Sequence, residues 1–149
     1  MAENHRLPKG RPQPDKPRAG EHVRKSGGAD LQNGWYARHG TLSLSDERLV
    51  FVPTPLDTLL RARRHEMRLD DITEVERWPK HPGDIPVGGR RPRLLIHTPE
   101  CVYELMVGDL DGWFDAVEKV YQLRGMRRPD AHVPAFTREG VENFMLAEE

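Results

Sequence analysis

Residues 40–52, Gly-Thr-Leu-Ser-Leu-Ser-Asp-Glu-Arg-Leu-Val-Phe-Val, hold two strand patterns joined by a short polar turn. Leu42 and Leu44 alternate with Thr41, Ser43 and Ser45, the period-2 signature of a half-buried strand. Ser45-Asp46-Glu47-Arg48 supplies turn chemistry, and Leu49-Val50-Phe51-Val52 continues as a β-rich run ended by Pro53. The one strongly amphipathic helix, at about residues 110–124, comes only after the strands have finished. That order predicts a small barrel with a helical cap and argues against a parallel-sheet enzyme.

The remaining strands follow from the same logic. Pro55-Leu56-Asp57-Thr58-Leu59-Leu60 is compatible with one helical turn, after which Met67 and Leu69 alternate with Glu66, Arg68 and Asp70 in a third strand. Ile72, Val75 and Trp78 carry the chain through a fourth. Residues 79–92, with Pro79, Pro82, Pro86 and Pro92 and three glycines, read as a long loop. Residues 93–98 and 101–107 flank Pro99-Glu100 and form a second hairpin. Leu110, Trp113, Phe114, Val117, Val120 and Tyr121 then recur at helical spacing, with Gly125 where a left-handed cap would end the helix.

The ends read differently. Residues 1–28 hold seven Lys/Arg against three Asp/Glu, with four prolines and four glycines, and are expected to be a disordered basic tail. That tail is either a solubilising end or a weak contact for an acidic surface. Folded sequence is expected over residues 31–125, in one domain. Residues 126–149 form a C-terminal extension in which Thr137 caps a short helix bearing Val141, Phe144, Met145 and Leu146, stapled by Phe136. Phe136, Val141, Phe144 and Met145 are therefore candidate partner-binding residues, docking on the domain itself, on a partner, or on neither.

The net charge of −1 gives no global basicity of the kind nucleic-acid binding requires. The single Cys101 forms no internal disulfide, and no apolar run reaches the roughly 20 residues of a bilayer span, so a cytoplasmic protein is expected. Eighteen of the twenty-three basic residues are Arg, which suggests a GC-rich, bacterial genome.

The order of these pieces resembles the GRAM/PH-like family of small binding domains. The residues that carry the resemblance are Gly40-Thr41-Leu42-Ser43-Leu44-Ser45-Asp46-Glu47-Arg48-Leu49-Val50-Phe51-Val52-Pro53, matching the family's G-x-L-x-L-T-x-x-R-L-V-F hairpin. Met67-Arg68-Leu69-Asp70-Asp71-Ile72 matches its I-P-L-x-D-I strand, and Asp111-Gly112-Trp113 opens a tryptophan-bearing cap helix. The resemblance spans roughly residues 34–124. It implies a mainly β fold, a PH-like barrel of two near-orthogonal antiparallel sheets closed by a C-terminal helix. It also implies a non-catalytic module that binds phosphoinositides, other anionic lipids or protein partners, with no cofactor.

The residues themselves locate the candidate chemistry. Arg61, Arg63, Arg64 and Arg68 follow Leu56, Leu59 and Leu60 in the connection between the second and third strands. Guanidinium groups fork to phosphate oxygens, and adjacent leucines suit a headgroup boundary. The competing reading is that the leucines cover the barrel and the arginines are solvated. Arg90, Arg91 and Arg93 form a second cluster, which would make a phosphate pocket if it met the first. The chain is thus read as a peripheral binder of anionic lipid, or alternatively as a protein adaptor using a sheet edge or the C-terminal helix. Asp70-Asp71 is read as structural. The seven histidines show no metal-site spacing, and Cys101 has no base beside it, so neither a metal site nor a nucleophile is expected. No phosphate loop, dinucleotide fingerprint or nucleophile elbow is present in the sequence.

Overall fold

A computed structural model describes residues 16–33, 36–79 and 91–137. Eight strands and two helices follow in the order β1 (Val23–Asn33), β2 (Tyr36–Ser45), β3 (Arg48–Pro53), α1 (Pro55–Leu59), β4 (His65–Arg68), β5 (Glu74–Trp78), β6 (Arg93–His97), β7 (Val102–Val107), α2 (Leu110–Arg127) and β8 (Ala135–Thr137). A 3-10 turn, Leu69–Asp71, separates β4 from β5. The strands form one sheet in the order β4-β3-β2-β1-β7-β6-β5-β8, antiparallel except for the β5–β8 pair. The fold is therefore mainly β with one long helix. The expected pair of separate sheets closed into a barrel is replaced by a single open ladder with β4 and β8 at its edges.

The β2–β3 hairpin is built as its sequence implies. Leu44 faces Leu49 across the ladder, and the turn is fixed by Ser45, whose Oγ accepts from the amides of Glu47 (3.2 Å) and Arg48 (3.1 Å). Gly40 is required by close approach: a Cβ there would lie 2.3 Å from the Val52 carbonyl oxygen and 2.7 Å from the Phe51 ring. Leu42, Leu44, Leu49 and Phe51 are fully buried.

Residues 16–28 are ordered where a tail was expected. β1 lies within residues 23–33, pairs along ten positions with β2 and joins β7 on its other side. Its Gly27 lies beside the Trp113 ring, which a Cβ there would meet in ordinary contact at 3.6 Å. Ahead of it, the segment from Lys16 covers the outer face of β2 and β3, which is why Ser43 and Ser45 are buried along with the leucines. Residues 1–15 lie outside the described residues.

A buried ion pair holds that cover in place. Arg48 Nε donates to Glu21 Oε2 at 2.9 Å, Ser45 Oγ donates to the same oxygen at 2.5 Å, and both charged side chains are at most 5% exposed. Arg48 also bonds the Lys16 carbonyl (3.2 Å) and Glu66 (2.9 Å). The Arg48 bond, resisted by burial and helped by Ser45, holds the Glu21 carboxyl at about 2, down from 4.5.

α2 closes the core as expected but runs longer. Asp109 caps it by accepting from the Gly112 amide (3.1 Å), and a Cβ at Gly112 would stand 2.0 Å from that carboxylate. Leu110, Trp113, Phe114, Val117, Val120 and Tyr121 are all buried against the sheet. Gly125 sits inside the helix rather than capping it, because the last turn continues to Arg127 and the Arg128 amide bonds the Arg124 carbonyl. Ala135–Thr137 form β8, and the helix expected after Thr137 lies outside the described residues. Phe136 packs edge-on against Phe114 and Tyr121, at 5.5 and 5.8 Å between centroids. Asp70 and Asp71 lie in the 3-10 turn, and Asp70 pairs with Arg124, a structural role.

Two outcomes follow from this packing. Glu21 titrates below its unfolded value, so its contribution to stability is complete above about pH 4.5 and fades as the pH falls toward 2. Denaturant titrations should show that loss in the native chain and a flatter acid limb in Glu21→Gln, while Arg48→Leu, which strands a buried carboxylate, should cost about 3–5 kcal/mol. Gly40→Ala should cost about 1–3 kcal/mol by overpacking against backbone, read as a lowered Tm.

Candidate functional site

The connection from β3 to β4 owes its shape to one short, well-capped helix. Thr54 Oγ1 accepts from the Asp57 amide at 3.2 Å and donates to Asp57 Oδ2 at 3.1 Å. Asp57 itself is turned inward and buried, accepting from the His39 amide (2.7 Å) and facing Arg38 (3.8 Å). Arg38 stacks over Tyr36 at 4.6 Å and donates to the Leu60 carbonyl at 3.2 Å, clamping the end of the helix. The chain then reverses at Arg61, whose φ of 68° places a non-glycine residue in the left-handed region.

With the acidic side of α1 fixed inward, its apolar side faces out. Leu56, Leu59 and Leu60, at i, i+3 and i+4, are 67%, 78% and 56% exposed. The reading in which these leucines cover the barrel is thereby overturned. Arg61 and Arg63, also exposed, stand beside them and meet no carboxylate among the described residues. Under the loop lies a cavity of about 200 Å³ lined by Leu31, Arg38, Phe51, Arg61, Ala62, Arg63 and His65. Burial, reinforced by the Arg63 charge, holds His65 below its ordinary value, and its ring meets Tyr103 edge-on at 5.6 Å.

The other candidate arginines separate from this site. Arg64 pairs with Glu66 at 3.1 Å. Arg68 lies 4.0 Å from Asp70 on a different, polar cleft of about 510 Å³ shared with Arg18, Arg48, Arg124 and Arg128. Arg93 is buried, bonded to Glu104 at 2.7 Å and stacked 5.7 Å from Trp78, so it is a structural residue. Arg91 pairs with Asp30, which also takes His39 Nδ1 at 2.7 Å. Burial works to raise the Asp30 carboxyl, but its bonds from Arg91 and His39 outweigh that and hold it low. Arg90, Val141, Phe144 and Met145 lie outside the described residues. Of the second cluster, Arg91 and Arg93 are thus each paired with a carboxylate where they stand. Phe136 belongs to the domain's own core.

Asp57 and Arg38, which set the loop, escape the sequence reading. A Thr-x-x-Asp cap was present at Thr54 and Asp57, whereas nothing near Arg38 signals its partner 19 residues on. Removing the clamp should loosen this loop selectively. Arg38→Ala should raise amide hydrogen exchange at Leu60–Ala62 several-fold while leaving α2 protected.

No family model and no curated protein matches this chain. Solved structures do. The C-terminal domain of an unknown protein from Leishmania infantum aligns with a TM-score of 0.54 at 18% identity, covering 70% of this chain and 87% of that one. The Vps36 N-terminal PH domain gives 0.53 at 19% identity, covering 73% and 85%. The hSac2 domain from human phosphoinositide phosphatase Sac2 gives 0.54 at 9%, covering 83% and 80%. At these identities the likeness establishes a PH-like fold. Among the described residues, no helix is long and apolar enough to cross a membrane.

Proposed function

We propose that this chain is a non-catalytic PH-like module, of the GRAM kind suggested by its first hairpin, that meets anionic phospholipid peripherally through the β3–β4 connection. The observation that carries this reading is the outward triad Leu56, Leu59 and Leu60 on a rigidly capped helix, beside two arginines without acidic partners. An exposed apolar cluster rimmed by cations matches a headgroup boundary: leucines enter the acyl margin while guanidinium groups take phosphate oxygens. The cavity lined by Arg38, Arg61 and Arg63 gives a headgroup phosphate room to sit. The PH-like fold supports a binding role, and one structural neighbour is a domain of a phosphoinositide phosphatase. Arg61 and Arg63 carry the lipid contact, while Arg64 and Arg68 are engaged by Glu66 and Asp70.

Two basic residues at an anionic surface supply about 2 kcal/mol, roughly a thirtyfold change in affinity. Co-sedimentation with phosphatidylglycerol vesicles at low salt should therefore exceed pelleting on neutral phosphatidylcholine, and should weaken with salt. Arg61→Ala with Arg63→Ala should lower it about thirtyfold, and serine at positions 56, 59 and 60 should abolish it without shifting Tm. Equal pelleting on neutral vesicles would sink the proposal. Capture of a protein partner by the same variants, with no vesicle binding, would favour the adaptor reading.

A further inference from the structure

Away from this loop, the outer face of β5 and β6 gathers Glu74, Glu76 and His97. Glu74 and Glu76 are two apart on one strand, and His97 faces Glu74 across the ladder. One donor atom from each lies within 4.8 Å of the other two, and all three residues are half-buried. His97 Nε2 already contacts a Glu76 carboxylate oxygen.

The surroundings of these carboxylates set them apart. Glu21, Asp30, Asp57, Glu66, Asp70 and Glu104 each face an arginine. Glu74 and Glu76, adjacent and half-buried, face neither lysine nor arginine among the described residues. Their donor atoms instead converge with the His97 imidazole, close enough together to ligate one ion. The donors are firmly mounted: Thr137 Oγ1 donates to Glu74 Oε2 at 2.7 Å, and the His97 carbonyl accepts from the Thr73 amide (2.9 Å) and hydroxyl (3.3 Å).

We propose that Glu74, Glu76 and His97 form a binding site for a divalent transition metal of the zinc class. One imidazole and two carboxylates suit zinc, while magnesium prefers an all-oxygen octahedron. Three protein donors leave a further position open to water or to an exogenous anion. Thr137 is the outer partner that orients Glu74, so the ion also ties β8 to the sheet. Histidine spacing along the chain misses the site because its ligands come from neighbouring strands.

Isothermal titration of the full chain with Zn²⁺, in a non-chelating buffer near neutral pH, tests this. One equivalent should bind saturably with micromolar affinity and raise Tm, and Co²⁺ should give visible absorption of a low-symmetry site. The near-isosteric Glu76→Gln and His97→Gln should each weaken binding at least tenfold with circular dichroism unchanged, and Thr137→Val should weaken it about tenfold. His132→Ala and His39→Ala should leave it intact. Absence of saturable binding, equal effect of Mg²⁺, or affinity retained by His97→Gln would each overturn the proposal.

Discussion

The two halves of the sheet meet along three residue pairs. Ala29, Asp30 and Leu31 of β1 face Val107, Met106 and Leu105 of β7, and among the described residues no other ladder joins the β4–β1 half to the β7–β8 half. Everything else depends on that seam. Ala29 and Leu31 send their side chains into the core that α2 covers. Asp30, on the opposite face, is held by Arg91 and His39, so the outer side of the seam is locked by charge where the inner side is locked by packing.

Arginine does most of the fastening in this chain. Arg48 pins the N-terminal segment, Arg77 ties β5 to Asp111 at the head of α2, Arg93 bridges β6 to β7, and Arg124 ties α2 to the 3-10 turn. Each of these arginines is buried, and Arg48 grips the buried Glu21 through two nitrogens, where a planar fork outperforms an ammonium. An arginine-rich composition therefore says little about ligands here. Arg61 and Arg63 are left over from this fastening, and they stand beside a cluster of leucines that faces water, Leu56, Leu59 and Leu60.

Much of the scaffold was legible. Alternation gave both hairpins, and three-four spacing gave α2, because in each case a single element's own pattern decides which side is buried. β1 was not legible, since Val23–Asn33 is rich in glycine and charge and becomes a strand through the partners on either side. β8 is three residues long, below what any periodicity can show. At the site, the sequence placed Arg61 and Arg63 correctly in a loop but could not decide which way Leu56, Leu59 and Leu60 point. That choice is made by Asp57 reaching Arg38 and the His39 amide, a long-range contact. Arg91 and Arg93 looked equivalent to the first cluster because pairing with Asp30 and Glu104 depends on strand register.

An open sheet presents two edges, and each is a template on which another strand can grow. One of them, β8, is only three residues long and lies along β5. The other, β4, is four residues long and carries Glu66 and Arg68, which would face an incoming strand with fixed charge. A second copy therefore finds little uninterrupted backbone to extend, which keeps neighbouring copies from zipping into a continuous sheet.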